Sequence, residues 1–241
     1  MTNEKMLFLV NKAIECLADE DSKAMIDIMR ETATKTADKA SFGFTGAYLE
    51  ELRCGLLADI ETAEAKKNGK TSVLSAMKYF NKEAYKKSIE SRPYFAYAHY
   101  DENNNEYWLT NTYWLIVSEK SDGMTLIPEA VNTIVFNYKA HIADTSNYEA
   151  VDLPPLAKIS TYLKTVKANK KRNSAWDRLV FEKFLINGSW LEQAMKLTGA
   201  TQIMYKQYKP LILIGNGYTV VIMPVQPKQG EEPTPTDFDN I

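Results

Sequence analysis

Between residues 179 and 225 the apolar positions change their period twice, and the rest of the chain is read against that stretch. Residues 179–186 are rich in Val, Phe, Leu and Ile, the composition of a strand. Ser189 stands three residues before Glu192, a capping box in which each side chain satisfies an unpaired amide of a helix's first turn. Leu191, Ala194 and Met195 follow at helical spacing, and Gly199 closes the helix. Alternation returns in residues 202–208, 211–214 and 218–225. The last two runs are joined by Gly215-Asn216-Gly217, and Asn-Gly between strands is a strong hairpin signal. The pattern predicts β-α-β-β-β, with its helix over residues 190–198.

Residues 71–138 predict the same order. Residues 71–80 read as a strand, and Asn81 caps a helix over 82–91 that Pro93 ends by disfavouring helix at Arg92. Residues 94–100 alternate aromatics with alanines, residues 102–105 turn the chain, and residues 106–119 return with a break near Asn111. Residues 124–127 and 131–138 supply two more strands. Between the halves, Pro154-Pro155 opens a helix on which Leu156, Ile159, Leu163 and Val166 share a face.

The first 70 residues show three helical stripes. Leu7, Val10, Ile14 and Leu17 make one. Ser22 caps the second, with Met25, Ile26, Met29 and Ala33; Leu49, Leu52, Leu56, Ile60 and Ala63 make the third. Gly43 and Gly46 place a hinge in residues 40–46, and Asn68-Gly69 places a boundary in 66–70. The expected fold class is α+β. It has an N-terminal helical region (1–70), a domain of two β-α-β-β-β halves (71–150 and 179–226, joined by linker 151–178) and a tail (227–241).

Composition narrows the function. The net charge of −2 is unevenly spread: 10 basic and 13 acidic side chains lie in residues 1–70, 18 and 14 in 71–225, and 1 and 4 in 226–241. A mildly basic centre between acidic ends permits contact with a polyanion. Residues 153–178 hold seven basic side chains against one acid, Asp177. No apolar run approaches the roughly twenty residues of a membrane span, so no membrane partner is expected. Glu4 and the early return of polar residues argue against a secretory signal. Cys16 and Cys54 both lie on helical patterns and read as reduced thiols, and the cytoplasm is the default compartment.

No catalytic constellation emerges, and no cofactor or metal is expected. His99 lies in an aromatic strand and His141 after a strand, and neither has a metal-ligand neighbour at metal-site spacing. Both read as structural. Gly215-Asn216-Gly217 joins two strands instead of opening a helix, so it is not a nucleotide cradle.

The C-terminal order ends in KPLIL and GYTVVIMPV, and it resembles the last half-domain of the bacterial DNA sliding clamp, the beta subunit of DNA polymerase III. Met223-Pro224-Val225 is its most specific piece; Gln226 stands where the family has Arg. Thr110-Asn111-Thr112-Tyr113-Trp114-Leu115 is similar to the family's Thr-Asp-Gly-His-Arg-Leu, matching at Thr110 and Leu115. The resemblance implies a short, single-domain relative of the kind carried by phages and mobile elements. The function it implies is that of a non-catalytic replication accessory protein.

It also implies two surfaces. A peptide-receiving pocket would use Thr110, Leu115, Val221, Met223 and Pro224. Phosphates of DNA, contacted without sequence preference, would meet Lys82, Lys86, Lys87 and Lys196 on the helices. The same contact would use Lys164, Lys167, Lys170, Lys171 and Arg172 in the basic run. A ring of single domains would make the protein a homo-oligomer. The alternative is a protein-interaction module on the same scaffold, without DNA contact. Residues 226–241 contain three prolines and little that packs, so they are expected to be disordered or loosely docked. Their tip, Thr236-Asp237-Phe238-Asp239-Asn240-Ile241, is similar to the acidic Asp-Phe-Asp tip of single-stranded DNA-binding proteins, which implies partner recruitment.

Overall fold

Seven strands build one antiparallel sheet, and successive side chains divide its apolar residues between two faces. The computed structural model describes residues 2–18, 53, 55–57, 59–90, 98–119, 124, 137–142, 144–168, 177–227, 229–230 and 232–238; the side chains of 16–18 and 85–90 stand outside it. The strands are β1 (His99–Asp101), β2 (Glu106–Thr110), β3 (Trp114–Ser118), β4 (Glu149–Asp152), β7 (Gln202–Tyr205), β8 (Leu211–Gly215) and β9 (Tyr218–Ile222), in the order β1-β2-β3-β9-β8-β7-β4. Two more, β5 (Arg178–Val180) and β6 (Leu185–Asn187), form a separate two-stranded sheet. The class is mixed α+β.

The helices are α1 (Asn3–Ala18), α2 (Thr71–Glu90), α3 (Leu156–Ala168) and α4 (Gly188–Thr198). Met77 and Phe80 of α2, Ile159 and Leu163 of α3, and Leu191 and Leu197 of α4 join one core with Trp114, Ile116, Leu213 and Val220. These three helices therefore share one face of the sheet. Phe80 meets Trp114 edge-on, with centroids 4.7 Å apart. The other face carries Trp108, Leu115, Val117, Ile212 and Val221 under Tyr138. The Tyr138 hydroxyl lies 2.8 Å from Asp101 and 3.0 Å from Glu106, which fastens that cover to β1 and β2.

Local signals are honoured at several points. Asn216 and Gly217, both at positive φ, make the two-residue turn between β8 and β9. Gly199 ends α4 at φ 66°. Residues 102–105 turn the chain between β1 and β2, and α3 buries Ile159, Leu163 and Val166 as its stripe predicts.

Other readings are corrected. Residues 71–80 are not a strand but the first half of α2. Ala76, Met77, Phe80 and Ala84, all fully buried, repeat at helical spacing straight through Asn81, which is no cap. Among the described residues the first half therefore enters the sheet as α-β-β-β, without a leading strand over 71–80. Residues 179–186 are not one strand but the hairpin β5–β6, reversed where Phe181 N donates to the Phe184 carbonyl at 2.9 Å. Phe181 stacks on Phe184 at 4.7 Å. Asn187, not Ser189, caps α4, accepting from Trp190 N at 3.1 Å. Strand β4 carries no sequence signal; it is an edge strand held by pairing with β7. Tyr138 opens a short 3-10 helix, Tyr138–His141, instead of ending a strand. Of the third N-terminal stripe, Leu56, Ile60 and Ala63 are helical as expected and Leu56 is buried, while Leu49 and Leu52 lie outside the described residues. The second stripe and the hinge at 40–46 lie outside them altogether, and the strands expected over 94–100, 124–127 and 131–138 lie largely outside them.

By its internal contacts the chain divides into Met1–Thr71 and Ser72–Ile241. In the first unit α1 turns Val10 inward, and residues 59–67 are helical and end in a turn at Gly69.

Candidate functional site

The turn between β2 and β3 is bonded almost entirely within itself. Thr110 Oγ1 donates to the Trp114 carbonyl and accepts from Thr112 N at 3.1 Å. Asn111 Oδ1 accepts from Tyr113 N at 3.0 Å and from Trp114 N at 3.2 Å. An Asn side chain replacing backbone partners in this way is an ordinary means of fixing a tight turn. With Thr110 and Asn111 buried, the turn pushes Tyr113 outward, where it is 49% exposed.

The end of β9 reaches this turn. The register pairs Leu115 with Val221 and Trp114 with Ile222, and beyond it Met223 N donates to the Tyr113 carbonyl at 2.8 Å. Tyr113 also lies nearly parallel to the Trp190 indole in the first turn of α4, with centroids 6.0 Å apart. Met223 is 43% exposed and Pro224 half-buried.

All five expected pocket residues thus fall on three neighbouring strands, β2, β3 and β9, and their ends, though they do not line one open pocket. Leu115 and Val221 are buried in the second core, and Thr110 is spent inside the turn. The exposed surface consists of Met223 and Tyr113, with half-buried Pro224 and Trp190 beside them. Sequence reasoning named Tyr113 only as part of the Thr110–Leu115 motif and gave Trp190 no role here. The available signal was a large aromatic at the tip of a hairpin, where burial cannot explain it.

The basic residues divide differently. Lys164 and Lys167 of α3 are exposed, as is Lys82 of α2. The side chains of Lys86 and Lys87, and all of Lys170, Lys171 and Arg172, lie outside the described residues. Lys196 is engaged: its Nζ donates to Glu192 Oε1 at 2.8 Å, and Ser160 Oγ donates to the same oxygen at 2.7 Å. Burial raises the Glu192 pKa, but those two hydrogen bonds and the charges of Lys196 and Lys167 outweigh it and hold the carboxyl below its ordinary range. Among the described residues of α3 every charged side chain is a lysine.

Neither histidine has the setting of a ligand. His99 is buried and stacks on Trp108 at 4.0 Å, and His141 is exposed in the 3-10 helix. Among the described residues no three His, Cys, Asp or Glu side chains are grouped to hold a metal, and no helix is long and apolar enough to cross a membrane. Comparison with known protein families, curated proteins and solved structures finds no match.

Proposed function

We propose that this protein is a non-catalytic, sliding-clamp-like accessory factor of DNA replication, working through a peptide-receiving surface at Tyr113, Met223, Pro224 and Trp190. The observation that carries the reading is the hydrogen bond from Met223 N to the Tyr113 carbonyl. It joins the two motifs on which the resemblance to the clamp family rests, although they lie more than a hundred residues apart in sequence. The half-exposed Tyr113 and Met223 offer an aromatic face and an adaptable thioether, both suited to apolar peptide anchors. Leu115 and Val221 pair on the same two strands and are buried in the second core.

DNA would be met through phosphates by Lys164 and Lys167 on α3, with Lys82 on α2, and by Lys170, Lys171 and Arg172 in the run that follows α3. Lys86 and Lys87 belong to the same proposal, and a ring would be a homo-oligomer. Lys196 makes a poor phosphate contact, because Glu192 already neutralises it. That ion pair favours the alternative to a limited degree: a protein-interaction module with no DNA contact.

A fluorescent peptide of the clamp-binding class from a polymerase tests the first part. Binding that disappears in Met223→Ala supports the reading. No binding to the wild-type protein, or unchanged binding in Met223→Ala, removes it. Retention on DNA that falls with added salt separates the clamp reading from the interaction module.

A further inference from the structure

The turn between β7 and β8 carries an aromatic ring where neither packing nor backbone preference accounts for it. Residues 206–210 join the two strands, and Lys209 N donates to the Lys206 carbonyl at 3.1 Å, which closes the turn. Tyr208 stands inside it at φ 61°. Glycine enters this left-handed region freely, and Asn or Asp at modest cost. Elsewhere among the described residues Asn105 and Asn216 take positive φ, and Thr112 does so in the turn bonded by Asn111. A bulky aromatic is the outlier. Nor does the ring pack, for Tyr208 is 87% exposed, the most exposed large apolar residue among those described. Tyrosine at this position strains the turn and gains no burial. Such an outlier points to a contact made outside the chain.

Charge decides what that contact is. Lys206 and Lys209 flank the ring, and no acidic residue lies between Glu192 and Glu231 in the sequence. Gln207 and Lys209 are exposed, and half-buried Lys206 places its Nζ 5.9 Å from the centre of the Tyr148 ring. Carboxylates of the neighbouring elements are engaged. Glu149, opposite Tyr205 on β4, pairs with Lys183, and Asp144 accepts from Ser146 N at 2.9 Å with the charge of Lys206 close by. An unpacked ring with a cation on either side suits an unpaired base and its adjoining phosphates. An acidic peptide would answer the lysines but not the ring.

We propose that the β7–β8 tip is a contact for single-stranded nucleic acid, in which Tyr208 stacks on an unpaired base while Lys206 and Lys209 meet the flanking phosphates. The contact reads no sequence, because every base offers a face to the ring. It shares no residue with the Tyr113–Met223 surface or with the lysines of α3, and it does not depend on the clamp reading.

The test uses the full chain and a fluorescent oligonucleotide of about twelve thymidines, within the site size of single-strand binders. Asparagine suits the left-handed position better than tyrosine, so the melting temperature of Tyr208→Asn should equal or exceed that of wild type. Its affinity for the oligonucleotide should fall about tenfold in fluorescence anisotropy, whereas Tyr208→Phe keeps the ring and the affinity. An oligomer of abasic sites offers phosphates without bases and should not distinguish wild type from Tyr208→Asn; nor should a duplex, whose bases are already stacked. Lys209→Gln should lower the slope of log affinity against log salt on the single strand by about 0.7. No binding of the oligonucleotide by wild type, or equal binding by folded Tyr208→Asn, overturns the proposal. So does a loss in Tyr208→Asn that is as large on the abasic oligomer. Binding of poly-glutamate without binding of the oligonucleotide would also overturn it and give the tip to an acidic protein partner.

Discussion

Tyr113 and Trp190 lie nearly parallel, 6.0 Å between centroids, one at the tip of the β2–β3 turn and the other in the first turn of α4. The contact ties a hairpin tip to the start of the helix that packs on the same sheet. Tyr113 remains half exposed, and its carbonyl accepts from Met223 N.

Tyr113→Ala should therefore separate binding from stability. An aromatic pair contributes about 0.5–1.5 kcal/mol beyond area burial, and Tyr113 is half exposed. The expected loss of stability is about 1 kcal/mol by chemical denaturation. The affinity for a clamp-binding peptide should fall as far as it does in Met223→Ala. Intact peptide binding in Tyr113→Ala would remove Tyr113 from the proposed surface.

The lysines should not behave alike. Lys164→Gln and Lys167→Gln should each lower the slope of log affinity against log salt on duplex DNA, by about 0.9 for each phosphate no longer neutralised. Lys196→Gln should leave the slope unchanged and destabilise the fold by about 1–3 kcal/mol, since a largely buried Glu192 is deprived of its charged partner. Equal slopes for wild type and the double α3 variant would exclude phosphate binding by α3.

Glu192 predicts an acid limb in stability. Its native pKa lies below the ordinary value of 4.5. The unfolded state then binds the proton more readily, and the ionised form is favoured by folding. That contribution is fully present above about pH 4.5 and is lost as pH falls through the lower native value. In Glu192→Gln this part of the pH dependence should vanish, which denaturant midpoints measured from pH 7 down to about pH 3 would show. An unchanged acid limb would place the titrating group elsewhere.

The start of α4 distinguishes the observed cap from the one the sequence pattern offers. Asn187→Ala removes the oxygen that accepts from Trp190 N and should cost about 1 kcal/mol. Ser189 lies inside the helix, so Ser189→Ala should not show a capping loss, though it removes a hydrogen bond to Tyr79. Glycine at 189 gives a sharper contrast: a cap tolerates it at a few tenths of a kcal/mol, whereas in a helix interior it costs about 1 kcal/mol. Urea unfolding of Asn187→Gly and Ser189→Gly, with the larger loss in the second, would confirm the assignment; the reverse order would refute it.

The sequence by itself determined what a few neighbouring residues can decide. Asn216-Gly217 makes its turn because both positions adopt positive φ, and Gly199 ends α4 for the same reason. The stripe of α3 and the break near Asn111 depend only on spacing and turn chemistry within a few residues. The strand expected over residues 71–80 had a local remedy: Ala76, Met77, Phe80 and Ala84 continue one helical stripe past Asn81. Tertiary structure alone decided the rest. No turn residue marks the reversal in residues 181–184; stacking of Phe181 on Phe184, with Phe238 against Phe181, accompanies it. The edge strand β4 is defined by β7, which lies about fifty residues away. The meeting of Met223 with Tyr113, and of Thr236 with Val180, comes from strand order, which closes long loops and leaves no local trace in the chain.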